Sequence, residues 1–372
     1  LSAIPALDGL RALAVLGTAA VHLAPGHVPG GFVGVDVFFV LSGFLITSLL
    51  LGEHALRSRI DLREFYVRRL RRLYPALLAV LAVITGWVLV RAGTHPWRVE
   101  LAAVAVSAGY VLNWAGVAGH DAPWQMDHLW SLGVEEQFYL VIPVMLILVL
   151  GRGVRGRSLT TLFGTLAVCS AVLGAASWLV WHQVGVSYLG TPFHACGLLA
   201  GCALGAAYVH RVGDRRLARL GRDRRVPWLC LVGLLALAFG IDLDSGQAFL
   251  WGIPAASALA AVLVASLLLS STAENGRGLR AVLRHPVSVQ VGRRSYSLYL
   301  WQNPVMWALT GPLHHAALGL VVVVNLVVTA VLAEVSYRFV ERRWLPARTE
   351  PAVGAPARAS SGPGSARAGR AV

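Results

Sequence analysis

The chain has 372 residues, 56% of them apolar and 13% charged, with a mean hydropathy of +0.66. Soluble domains carry roughly a quarter charged residues, so this composition excludes a water-soluble body and points to a chain solvated largely by lipid. All 32 basic residues are Arg, against 18 acids, for a formal charge of +14; the Arg clusters fall between apolar stretches, which suits cytoplasmic loops and headgroups and not nucleic acid.

Apolar runs long enough to cross a bilayer, about 17–25 residues, are expected near 10–24, 31–51, 76–90, 101–117, 132–150, 159–180, 193–208, 228–241, 249–269, 296–309 and 316–339. The loop 52–75 holds Arg57, Arg59, Arg63, Arg68, Arg69, Arg71 and Arg72 and is assigned to the cytoplasm, together with the N-terminus. Later loops around Arg152, Arg211 to Arg225 and Arg277 to Arg294 are also basic, whereas 181–192, 242–248 and 310–315 contain no Arg. Were every run to cross, those later basic loops would lie outside. One run between 76 and 150 must therefore not span, and 101–117, with Ser107, Tyr110, Asn113 and Trp114, is predicted to be re-entrant or interfacial.

The expected fold is all-α: a polytopic membrane helix bundle of about ten transmembrane helices plus that one, multi-pass in the cell membrane with both termini cytoplasmic. Residues 1–348 form the membrane-embedded domain, and 349–372, rich in Ala, Gly, Pro, Ser and Arg, read as a disordered cytoplasmic tail. The first residues lack a basic stretch and a small-residue cleavage site, so a cleaved signal peptide is not expected. Cys169, Cys196, Cys202 and Cys230 lie in apolar stretches and read as small buried packers.

Polar residues within the spans carry the chemistry. Arg11 and His22 are eleven positions apart, which returns to within about 20° of the same helix face over a rise of about 16 Å. Asp36 falls inside an apolar span, where an ionised carboxylate is expensive unless paired, and His22 or an Arg is its expected partner. Ser42 and Gly43 follow, the glycine permitting close helix approach. In FYVRRLRRLYP, Arg69 and Arg72 share a face, and their guanidinium forks, with Arg68 beside them, suit the phosphates of a nucleotide-linked donor. The run HLWSLGVEEQFYL places Trp130, Ser131, Glu135, Glu136 and Tyr139 at the head of a span, where adjacent acids are unusual. His120, Asp121, Asp127 and His128 match no zinc spacing, so no metal is expected. Esterase, zinc-protease and NTPase motifs are absent.

This ordered set resembles the acyltransferase-3 family of integral membrane O-acyltransferases, up to about Trp344. Arg11-x10-His22, GGFVGVDVFFVLSGFLI, RRLRRLYP, HLWSLGVEEQFYL and SYSLYLW with Tyr299 and Pro304 are similar to its successive motifs. A His commonly follows that last Trp, where this chain has Gln302 and Asn303. Some members append an extracytoplasmic hydrolase-like domain, and none is expected here. The resemblance implies transfer of a short acyl group from acyl-CoA, a substrate and not a cofactor, to a hydroxyl of a carbohydrate or of a glycosylated small molecule such as a macrolide sugar.

On that footing Arg69, Arg72 and Arg68 hold the donor, and His22, balanced by Asp36 or Glu135, removes the acceptor proton. Arg11 lines the donor path or stabilises an oxyanion. Glu136 completes the catalytic set, and Ser42, Trp130, Tyr139 and Tyr299 form the substrate pocket. Direct and acyl-histidine routes are both compatible with these residues. The alternatives are a transporter or flippase with buried polar groups, and a sensor or scaffold with a site made degenerate by the missing His at Gln302.

Overall fold

The computed structural model describes residues 4–24, 26–91, 97–211, 221–269, 278–313 and 315–344. The tail 349–372 and parts of the basic loops 211–225 and 277–294 lie outside the described residues. Within lipid every backbone N–H and C=O must be satisfied inside its own segment, which favours helices throughout. Among the described residues there is no strand. In chain order, α1 (Pro5–Leu23), α2 (Phe32–Arg57) and α3 (Leu62–Val90) precede the short α4 (Trp97–Ala108), α5 (Leu112–Val117) and α6 (Trp124–Asp127). Next come α7 (Trp130–Gly151), α8 (Gly156–Trp181), α9 (Val184–Leu189), α10 (Thr191–His194) and α11 (Cys196–Val209). There follow α12 (Arg225–Gly240), α13 (Ile253–Leu268), α14 (Leu279–Arg284), α15 (Pro286–Arg293), α16 (Ser295–Thr310) and α17 (Leu318–Ser336). A π-helical turn, Ala248–Gly252, leads into α13, and another, Tyr337–Glu341, leads out of α17.

Among the described residues, seven helical segments are long and apolar enough to cross a membrane, and α11 and α12 are shorter apolar helices. The molecule is an all-α, multi-pass membrane bundle. The run 101–117 is broken at Tyr110, whose φ is 55°, into α4 of 12 residues and α5 of 6. At about 1.5 Å per residue neither piece reaches across a hydrocarbon layer of about 30 Å.

The second helix is the axis of the bundle. Phe39, Phe44 and Leu50 are fully buried along it, and α11 lies against it through glycines. A Cβ on Gly43 would sit 1.9 Å from the carbonyl oxygen of Leu198, and one on Gly201 would sit 2.2 Å from that of Val40. Small residues let backbones approach this closely where dispersion, not hydrophobicity, holds membrane helices together.

At the start of α3, Asp61 accepts the Glu64 N–H at 2.9 Å, capping the helix, and that bond holds its carboxyl below the usual range. The helix then continues through the arginines and through Pro75 without a break. Cys196, Cys202 and Cys230 are buried, as expected, but Cys169 is exposed. It lies on α8, a peripheral helix with most of its surface turned away from the bundle, where a small apolar side chain meets lipid at no cost.

Candidate functional site

Periodicity places Arg11 and His22 on one side of α1, and that side faces α16. Arg11 Nε donates to Ser295 Oγ at 3.2 Å, and its guanidinium lies 5.8 Å from the ring centre of Phe38. It lines a cavity of about 50 Å³ with Ser42, Ser131, Glu135, Ser295 and Tyr299. The Ser42 and Tyr139 hydroxyls both donate to Glu135 Oε1. Ser131 Oγ and Tyr299 OH are 2.6 Å apart, and Tyr299 donates to the His128 carbonyl at 2.5 Å. The cavity thus joins one guanidinium, one carboxylate and a fringe of hydroxyls in a setting shielded from water, where each polar interaction is strengthened.

The arginines of α3 divide. Arg69 is turned inward, its guanidinium 4.0 Å from the Tyr139 ring centre, a cation–π contact directly beneath Glu135. Arg72, one turn on, is exposed and lies within electrostatic reach of Arg69, Arg11 and Glu341. Arg68 turns away: it pairs with Glu64 and stands 3.9 Å from Glu53. Of the three expected donor ligands, the structure brings Arg69 and Arg72 together and sets Arg68 apart. Glu136 is half-buried within electrostatic reach of Arg69.

The side chain of His22 faces a different space. Its Nδ1 is 2.7 Å from the Thr18 carbonyl oxygen. A carbonyl only accepts, so Nδ1 carries the proton and Nε2 keeps its lone pair, the tautomer a general base requires. The imidazole lines a cavity of about 240 Å³ with Gln302, Met306, Asn325 and Thr329. Tyr299, one turn before Gln302 on α16, belongs to the first cavity. His128 is buried next to Tyr299, with ring centres 5.1 Å apart, and within electrostatic reach of His22.

Asp36 is not paired with His22 or an Arg. Its Oδ1 is 3.5 Å from His194 Nε2 and accepts from Ser257 Oγ at 3.2 Å. The reason is facial: Asp36 lies on the side of α2 that meets α10, α11 and α13, whereas His22 looks toward α16. His194 is fully buried, bonds the Tyr188 carbonyl through Nδ1 at 2.8 Å, and stacks on Trp130 with ring centres 5.5 Å apart. Trp130, expected in the substrate pocket, therefore belongs to this buried cluster and does not line the Arg11 cavity. Tyr139 lies below that cavity, tied to Glu135 and Arg69.

Three residues, His194, Glu341 and Ser295, escaped the sequence reading. His194 has no spacing relation to Asp36 that could have flagged it. Glu341, buried and accepting from Ser297, brings a carboxylate toward Arg11 and Arg72 from the far end of the chain. Ser295 is the partner of Arg11. Gln137, the third residue of the EEQ run, donates to the Tyr110 carbonyl and to Asn113 Oδ1, each at 2.9 Å. It also accepts from Trp114 Nε1 at 2.9 Å and Thr191 Oγ1 at 2.6 Å. Among the described residues no three of His, Cys, Asp and Glu are grouped closely enough to hold a metal ion.

A family model described as an acyltransferase domain matches residues 4–337. YrhL of Bacillus subtilis (strain 168), assigned by its name to peptidoglycan O-acetylation, is 33% identical over 362 residues, covering 93% of this chain and 55% of its own. The O-acetyltransferase OatA of Staphylococcus aureus (strain NCTC 8325 / PS 47) is 32% identical over 352 residues, covering 91% of this chain and 56% of its own. The chain thus spans little more than half the length of the curated relatives it matches. No solved structure matches it.

Proposed function

The chain belongs to the acyltransferase-3 family, and from that premise we propose that it is a membrane O-acyltransferase that moves a short acyl group from acyl-CoA to a sugar hydroxyl. The observation that carries this reading is the shared face of α1: Arg11 in a hydroxyl-fringed cavity above Arg69 and Arg72, and His22 further along the same face. The Arg69 and Arg72 forks bind the donor's phosphates at the cytoplasmic side. The acyl-bearing arm rises past Ser42 and Glu135.

His22 Nε2 takes the proton of the acceptor hydroxyl as its oxygen bonds to the thioester carbon. The carbonyl oxygen becomes an oxyanion, while Arg11, about 16 Å along α1 from His22 and in the other cavity, lines the donor path. The intermediate collapses with loss of the C–S bond, and the departing thiolate takes back the proton from His22. The products are the O-acyl sugar and free CoA, so acyl-CoA is consumed as a substrate. The peptidoglycan acceptor in the name of YrhL favours a carbohydrate of the cell surface over a small glycosylated molecule. Both termini lie on the cytoplasmic side in this reading, with the Arg-rich 52–75 loop.

The test is acyl-CoA-dependent release of free CoA by the purified full chain with glycan acceptors. His22→Ala should lower kcat by about 10²–10⁴-fold, the range for a general base. Arg69→Ala/Arg72→Ala should instead raise the KM for acyl-CoA. Wild-type protein that neither binds acyl-CoA nor releases CoA would overturn the proposal in favour of a transporter.

A further inference from the structure

The cavity beside His22 runs between α1, α16 and α17 and opens on the flank of the bundle. Its outer rim includes Leu16 and Leu326, 48% and 38% exposed on membrane-spanning helices. Its inner end holds Gln302 and Asn325, which are 7% and 3% exposed. Neither amide atom of Gln302, nor Oδ1 of Asn325, has a hydrogen-bond partner among the described residues. Such groups, shielded from water, are unfavourable until something pairs with them.

The two ends of the cavity ask for different chemistry. An apolar mouth on the lipid face admits hydrocarbon, whereas the free amide of Gln302 and the free Oδ1 of Asn325, whose Nδ2 donates to the Val321 carbonyl at 2.9 Å, bind hydroxyls and carbonyls beside an imidazole. Among the described residues no Arg, Asp or Glu lines the cavity, so these side chains match no phosphate or other charged headgroup. An uncharged polar head on a hydrocarbon tail satisfies both ends at once.

Resting on the acyl-transfer reading above, we propose that the acceptor comes sideways from the bilayer as a glycolipid. Its sugar lies against Gln302, Asn325 and His22, and its tail leaves between Leu16 and Leu326. Gln302 and Asn325 are then the residues that orient the hydroxyl toward Nε2 of His22. This gives the position where the family commonly carries a His a binding task in this chain.

The probe is an N-acetylglucosaminyl dodecyl glycoside carrying a diazirine beside the sugar, added to the full chain in lipid nanodiscs, with the methyl glycoside as its tail-less counterpart. Photolabelling should map to α1, α16 and α17. Leu326→Trp and Ala330→Trp, which fill the mouth, should reduce it about tenfold. Leu320→Trp, on the same helix but outside the cavity and already 53% exposed, controls for bulk alone and should label as wild type does. Gln302→Met removes the amide and keeps the volume; it should raise the KM for the dodecyl glycoside about tenfold, the value of roughly one hydrogen bond, with a smaller change in kcat.

Labelling spread over other helices, or equal KM values for the dodecyl and methyl glycosides with no effect of the mouth variants, would overturn lateral access while leaving acyl transfer standing. Labelling confined to the cavity in a protein that never releases CoA would overturn the transfer reading and leave the binding site standing.

Discussion

At the scale of single residues, the buried pairs separate architecture from chemistry. Asp36 and His194 are both without solvent exposure, with Oδ1 of Asp36 3.5 Å from Nε2 of His194 and Ser257 as a third member. Breaking such a contact leaves a buried polar group without its neighbour, at a cost of about 1–3 kcal/mol. His194→Ala should therefore lower the unfolding midpoint of detergent-solubilised protein sharply, and adding Asp36→Asn should recover much of the loss. A midpoint unchanged by His194→Ala would show that Asp36 is not held as described. Arg11 and His22 differ from this pair, because each lines a cavity and retains hydrogen-bonding capacity toward an occupant.

At the scale of elements, two contacts fix where the site residues stand. Gln137 ties α5 and the Thr191 turn to α7 through four hydrogen bonds. Gln137→Leu strands those partners at about 1–3 kcal/mol each for the buried ones. Amide hydrogen exchange across 112–117 should speed up before the rest of the molecule opens; uniform exchange would contradict a local role. The seam between α2 and α11 is the second contact. Gly201 has no room for a Cβ beside Val40 and Phe44. Gly201→Val should destabilise by about 1–3 kcal/mol or more through overpacking, read as a lowered thermal midpoint, while Gly86→Val on α3, with open space around it, should not.

For the whole molecule, the arrangement of the chain across the membrane is open to direct measurement. Asp121 and Arg59 are both exposed, and the charge pattern sets them on opposite sides. In a Cys169→Ala background, needed because Cys169 is itself exposed, Asp121→Cys should react with an impermeant thiol reagent in intact cells. Arg59→Cys should react only after the membrane is opened. The reverse pattern would invert the bundle and place the Arg69 and Arg72 pair away from cytoplasmic acyl-CoA.

What the sequence by itself determined is local or periodic. Composition made the chain a membrane bundle, because there is too little charge to solvate it otherwise. Helical periodicity put Arg11 and His22 on one face and Arg69 and Arg72 on another, since a 3.6-residue repeat needs no knowledge of neighbours. That one run between 76 and 150 does not span follows from the placement of Arg, and the polar residues Ser107, Tyr110, Asn113 and Trp114 single out 101–117. Only the tertiary structure decided which helix each face meets. It gave Asp36 to His194 instead of His22, moved Trp130 out of the pocket, and brought Glu341 toward Arg11 and Arg72. These pairings join residues far apart in the chain, and their partners are chosen by the rotation of packed helices, which no local pattern of residues encodes.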